Sequence, residues 1–93
     1  MDRKACLDAA AACVLKDRSN EYGGPEDSFG TVQALWAAYD AAASKRGPHI
    51  VDVPIKMALL KIARIAANPT HADSFVDIAG YAACGAEVSK SKI

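Results

Sequence analysis

Residues 52–67 read Asp52-Val53-Pro54-Ile55-Lys56-Met57-Ala58-Leu59-Leu60-Lys61-Ile62-Ala63-Arg64-Ile65-Ala66-Ala67. Within this stretch Ile55, Ala58, Leu59, Ile62, Ile65 and Ala66 recur at steps of mainly three and four, so they share one side of an α-helix. Asp52 is placed to cap that helix and Pro54 lies in its first turn, where a missing N–H breaks no helical bond. Asn68-Pro69 ends it, because proline cannot continue the ladder. The segment predicts the central helix of an all-α chain.

The same pattern extends outward on both sides. Toward the N-terminus, Ser44 to Val51 holds Arg46-Gly47-Pro48 and predicts a mobile loop. Before it, Phe29, Val32, Trp36, Tyr39 and Ala43 form the seam of a helix that opens at Pro25, with Glu26 and Asp27 set against the positive end of its dipole. Ser19 to Gly24 is the strongest break in the chain, since Gly23-Gly24 accepts backbone angles that other residues resist. Ahead of that break, Arg3 to Arg18 places Cys6, Ala9, Ala10, Cys13 and Val14 at helical spacing. Beyond Pro69, Asp73 or Thr70 is expected to cap a fourth helix running through Phe75, Val76, Ala79, Ala83 and Ala86 to about Ser89, followed by a frayed basic tail. Gly80 and Gly85 lie inside that helix. An interior glycine costs about 1 kcal/mol against alanine, so the pair predicts close approach of another helix.

The 93 residues make one domain, 1–93, with no composition shift to divide it. Apolar residues are 52% of the chain, but 20 positions are alanine and aromatics are 6%, so the core is rich in number and thin in area. Burial of Leu or Phe contributes about 1.5–3 kcal/mol, and alanine much less. Such a chain is marginal as a compact four-helix bundle by itself, and it predicts assembly with copies of itself. The aromatic residues are expected in the core.

Eleven basic and eleven acidic residues cancel, which argues against polymeric nucleic acid or an anionic membrane as partner. Cys6 and Cys13 are about 10 Å apart on one helix, too far for a disulfide, and they read as small core residues of a protein in a reducing compartment. No zinc spacing, secretory leader or membrane-length apolar run is present, and a cytoplasmic location follows as the expectation.

Three groups of residues can carry chemistry. Arg18, Tyr22, Gly23, Gly24, Pro25 and Ser28 combine a glycine turn with a helix start: backbone N–H groups and the Ser28 hydroxyl can face an anion, and Tyr22 can stack a base. The plain alternative is a helix–helix turn, and neither a Walker loop nor a dinucleotide fingerprint fits. Lys56, Lys61, Arg64 and His71 form an acid-free basic run from Val53 to Ala72. Lys61 and Arg64 share a face on which a guanidinium fork can grip phosphate, or they are solvated cations near a helix C-terminus. Asp73 and Asp77, at i and i+4, can hold magnesium together with acids on a facing helix. The dense Glu-x-x-Glu and Glu-x-x-Asp sets of helical nucleotide pyrophosphatases do not occur, so Asp73 reads better as a cap and Asp77 as partner to a nearby cation. Neither His49 nor His71 is paired by sequence context with a nucleophile.

The words Asp17-Arg18, Tyr22-Gly23-Gly24-Pro25-Glu26-Asp27-Ser28-Phe29, Leu35-Trp36, Met57-Ala58-Leu59-Leu60-Lys61-Ile62-Ala63-Arg64 and Asp77-Ile78-Ala79-Gly80-Tyr81 occur in this order between about Leu7 and Glu87. Together they resemble a family of short phage proteins that includes the second anti-CBASS protein. The resemblance implies a helical protomer assembled into a homohexamer in the host cytoplasm. Its implied function is sequestration, without cleavage, of cyclic dinucleotides and cyclic trinucleotides in pockets at subunit contacts, which starves CBASS immune signalling. It implies no cofactor, no metal and no catalytic residue. Carried onto this chain, the Gly24-Pro25 turn and Ser28, together with Arg64, match the trinucleotide pocket. The dinucleotide pocket departs from the family's pattern, since helix one has no aromatic residue and Glu26 follows Pro25; Tyr22 with Lys16, or Lys56 from a neighbouring subunit, are the substitutes. A magnesium-dependent nucleotide pyrophosphatase and a ligand-free helical adaptor are the alternatives.

Overall fold

A computed structural model of the chain describes residues 1–17 and 25–93. The described residues are all-helical, with four helices and no strand. Helix α1 spans Arg3–Ala12, and its ladder widens into a π-helical turn over Cys13–Asp17. Helix α2 spans Pro25–Ala43, α3 Asp52–Ala67 and α4 Ala72–Val88. The bounds follow the local chemistry. Asp2 caps α1 by accepting the Ala5 N–H at 2.8 Å, Pro25 opens α2, and Asn68 closes α3 with its N–H on the Arg64 carbonyl at 2.8 Å.

Two expected caps are corrected. Val51, not Asp52, precedes the first turn of α3, and Asp52 is already helical. Its carboxylate instead accepts the His49 N–H at 2.9 Å, bracing the loop ahead of the helix. At α4 the cap position is His71. Thr70 turns its hydroxyl to Asn68 Oδ1 at 3.0 Å, and Asp73 stands in the first turn, where its charge suits the dipole.

Helix α3 is central: α2 packs on one flank and α4 on the other, while α1 packs on none of them among the described residues. The result is an open layer of three helices rather than a compact bundle. The radius of gyration of the whole chain, with α1 apart from the layer, is 15.5 Å, against about 12 Å for a compact domain of this length. Burial is correspondingly sparse. Val32, Ala63, Ser74 and Gly85 are the buried residues among those described, and Ser74 Oγ is 2.8 Å from His71 Nδ1. Gly85 faces the start of α3, where a Cβ would meet Pro54 at 3.7 Å, so one of the two interior glycines does mark a helix approach. Gly80 faces open space.

The expected aromatic core is half right. Trp36 and Tyr39 are half-buried against α3, whereas Phe29 and Phe75 are 66% and 54% exposed. A single layer covers only one side of each helix, and these rings lie on the uncovered sides. Cys6, Cys13 and Cys84 are exposed free thiols, not core residues, because among the described residues no other helix packs over them.

The loop and the tail are pinned together where mobility and fraying are expected from composition. The Val51 N–H donates to His49 Nδ1 at 3.0 Å, which leaves the imidazole proton on Nε2, directed at the Ser91 carbonyl 2.5 Å away. Ile50 N–H reaches the backbone oxygen of Ile93 at 2.8 Å.

Candidate functional site

Helices α2 and α3 run antiparallel, and three contacts fix their register. Tyr39 donates its hydroxyl to Asp52 Oδ1 at 2.7 Å. Trp36 donates its indole N–H to the Lys56 carbonyl at 2.9 Å. One turn farther, Leu60 joins Phe29, Val32 and Trp36 in lining a groove of about 850 Å³. The same register carries Ser28, in the first turn of α2, to the level of Arg64, in the last turn of α3. Ser28 and Arg64 are both half-buried, but neither lines the groove, whose wall at that end is formed by Phe29 and Leu60.

The opposite end is closed by charge pairs. Lys56 Nζ is 2.9 Å from Asp40 and 5.5 Å from the Trp36 ring centroid, a cation–π contact that holds both groups. Beyond it, Asp52 accepts Arg46 Nη2 at 2.6 Å as well as Tyr39, and Arg46 also donates to the Tyr39 oxygen at 3.0 Å. The Arg46 hydrogen bond, then those from Tyr39 and the His49 N–H, hold the Asp52 carboxyl well below the usual carboxylate range. Burial, and then the Asp52 carboxylate, push the Tyr39 phenol up. This hub was not singled out from sequence. Its signal is the eight-residue loop from Ser44 to Val51, short enough to bring the end of α2 onto the start of α3 with opposite charges at Arg46 and Asp52.

The basic run of α3 is split rather than gathered. Lys56 faces α2, while Lys61 faces α4 and pairs with Asp77 at 3.0 Å, its side chain 13% exposed. Lys61 is thus committed to a carboxylate and not joined with Arg64 in a phosphate fork. Asp77 is the partner to a cation that its spacing suggested. Tyr22 and Gly24, with Arg18 and Gly23, lie outside the described residues, and Lys16 and Pro25 are described only as helix positions. Among the described residues no three His, Cys, Asp or Glu side chains converge as metal ligands, and no helix is long and apolar enough to cross a membrane.

Comparison with known proteins finds a family and two phage relatives. Residues 5–89 match the model of a domain of unknown function, DUF6378. The Gene 55 protein of Mycobacterium phage L5 is 40% identical over 78 residues, covering 82% of this chain and 47% of that protein. The Gene 55 protein of Mycobacterium phage D29 is 33% identical over 81 residues, covering 87% of this chain and 51% of that protein. The chain thus spans about half the length of these relatives. No solved structure matches it.

Proposed function

The chain belongs to the DUF6378 family, and from that premise we propose that it is a phage sponge for cyclic oligonucleotide signals, acting as a homo-oligomer in the host cytoplasm and binding its ligands without cleaving them. The observation that carries this reading is the antiparallel register of the α2–α3 pair, which sets Ser28, in the first turn of α2, and Arg64, in the last turn of α3, toward the same end. A helix start with a hydroxyl and a guanidinium suits a phosphate, and the exposed Phe29 ring beside them suits a nucleobase. A trinucleotide with three equivalent phosphates fits one such donor set from each of three subunits around a symmetry axis. Oligomerisation into a hexamer is part of the same reading, supported by the resemblance of the sequence and by the thin core.

The pyrophosphatase alternative is disfavoured by Asp77, the acid it would assign to magnesium, because that carboxylate is paired with Lys61. Titration calorimetry with 3′,3′-cyclic GMP-AMP and with cyclic tri-AMP, followed by heating and chromatography of the released nucleotide, tests the proposal. The expected result is binding with intact ligand recovered. Arg64→Ala is expected to weaken cyclic tri-AMP binding roughly 10- to 100-fold, the equivalent of one charged hydrogen-bonding group. Absence of heat with both ligands, or recovery of a cleaved product, overturns it.

A further inference from the structure

His49 joins two parts of the chain through one imidazole. Its Nδ1 faces the N–H of Val51, the residue that precedes the first turn of α3. Its Nε2 faces the carbonyl of Ser91, beyond the end of α4. A backbone N–H only donates and a backbone carbonyl only accepts, so the two partners demand opposite roles of the two nitrogens. The neutral ring with its proton on Nε2 meets both demands. An imidazolium carries a proton on each nitrogen, which sets Nδ1–H against Val51 N–H, donor against donor. The charged ring must turn away from Val51, and turning takes Nε2 from Ser91.

Little else holds the residues after α4 in place. Ile50 sends its N–H to the Ile93 backbone oxygen at 2.8 Å, but Ile50 and Ile93 are 39% and 77% exposed, so little apolar burial offsets a lost hydrogen bond. The tail's other hydrogen bonds among the described residues are local, such as Ser91 N–H on the Val88 carbonyl at 3.0 Å and Ile93 N–H on Ser91 Oγ at 3.2 Å.

The elements that meet at the ring bring charges of both signs. The loop carries Lys45 and Arg46, and α3 begins with Asp52, which accepts the His49 N–H and Arg46. The last turn of α4 carries Glu87, and the tail carries Lys90, Lys92 and the Ile93 carboxyl group. Carboxylates ordinarily titrate below about pH 5, and lysine and arginine above about pH 10. The imidazole is therefore the group at this junction whose charge changes between about pH 7.5 and about pH 5.

We propose that His49 is a proton-operated latch: neutral, it fastens the segment after α4 to the start of α3, and protonated, it releases that segment and deprives the Val51 N–H of its acceptor. Gly85 of α4 lies against Pro54 and Val51 at the same junction, so release loosens this end of the α3–α4 contact, while the part held by Lys61 and Asp77 is unaffected. The latch is independent of nucleotide binding and of self-assembly.

NMR of the full-length protein labelled with nitrogen-15, at about pH 7.5 and about pH 5, provides the test. Imidazole nitrogen shifts read the tautomer and charge of His49, and the heteronuclear NOE of residues 89–93 reads the order of the tail. The expected result is an Nε2–H imidazole with an ordered tail at the higher pH and an imidazolium with a mobile tail at the lower. Protection of the Val51 amide against exchange is expected to fall roughly tenfold between them, the equivalent of one hydrogen bond. His49→Gln, whose amide can donate to Ser91 but takes up no proton, is expected to lose the pH dependence; it also separates His49 from His71, at the opposite end of α4. A proton on Nδ1 at the higher pH, an imidazole still neutral at the lower, a tail of equal order at both, or the same pH-dependent change in His49→Gln overturns the latch. The wild-type readings decide alone should that variant fail to fold.

Discussion

Asp52 joins more of the chain than any other side chain described: the end of α2 through Tyr39, the loop through Arg46 and the His49 N–H, and α3 as its first residue. Its carboxyl is held well below its ordinary value of 3.8, chiefly by Arg46. A carboxyl depressed in the folded state contributes stability that is present above its unfolded pKa and disappears as the pH falls through the folded one. Asp52→Asn is therefore expected to lower the melting temperature at pH 7, with the gap between wild type and variant closing as the pH falls below about 4. Melting curves from pH 7 to pH 2 read this directly, and a gap that is constant across that range counts against the hub. The sequence announces Asp52 only as a helix cap, because its partners at Tyr39 and Arg46 are brought to it by the path of the loop, and no local pattern encodes that path. The charges of α3 show the same limit. Their positions along the helix are legible, but which flank each one faces depends on where α2 and α4 pack. Lys61 therefore goes to Asp77, while Arg64 stands in the last turn of α3.

Element boundaries were the most legible feature, since proline and the apolar period act locally. Pro25 opens α2 and Asn68-Pro69 closes α3 where both are expected. The interior glycines of α4 are less transparent. Gly85 meets α3, but a methyl there would be in ordinary contact with Pro54 at 3.7 Å, and Gly80 has open space around it. Neither position uses the conformational freedom that only glycine has, as positive φ among the described residues occurs only at Gly47. Gly85→Ala and Gly80→Ala are each expected to stabilise the chain, by about 0.5–1 kcal/mol from helix propensity. Urea unfolding of the two variants separates the possibilities. A gain at both sites means that the protomer alone dictates the preference, and a loss confined to Gly80→Ala places a helix of another copy against the outer side of α4.

At the scale of the whole molecule, surface is the unresolved term. An alanine-rich chain has enough apolar residues to fold but too little area in each, and the described structure spends them on a single layer with Val32 and Ala63 as its buried apolar residues. Composition made the need for further burial legible; the arrangement was not, because the compact bundle expected from four amphipathic segments and the open layer share the same period along each helix. The exposed Leu7, Phe29, Phe75 and Val76 then have a thermodynamic consequence. If copies of the chain cover them, unfolding is coupled to dissociation and the melting temperature rises with protein concentration, whereas a monomer melts at one temperature at every concentration. Calorimetric scans over a hundredfold range of concentration are expected to show that rise in wild type. If the chain is the sponge proposed above, cyclic tri-AMP at about a hundred times its Kd adds roughly 2.7 kcal/mol to the wild type, raising the melting temperature further at every protein concentration. The two shifts are separable. Arg64→Ala should lose the nucleotide-dependent one and keep the concentration-dependent one, because Arg64 is the cation the proposed site uses and the exposed apolar residues that need covering lie elsewhere.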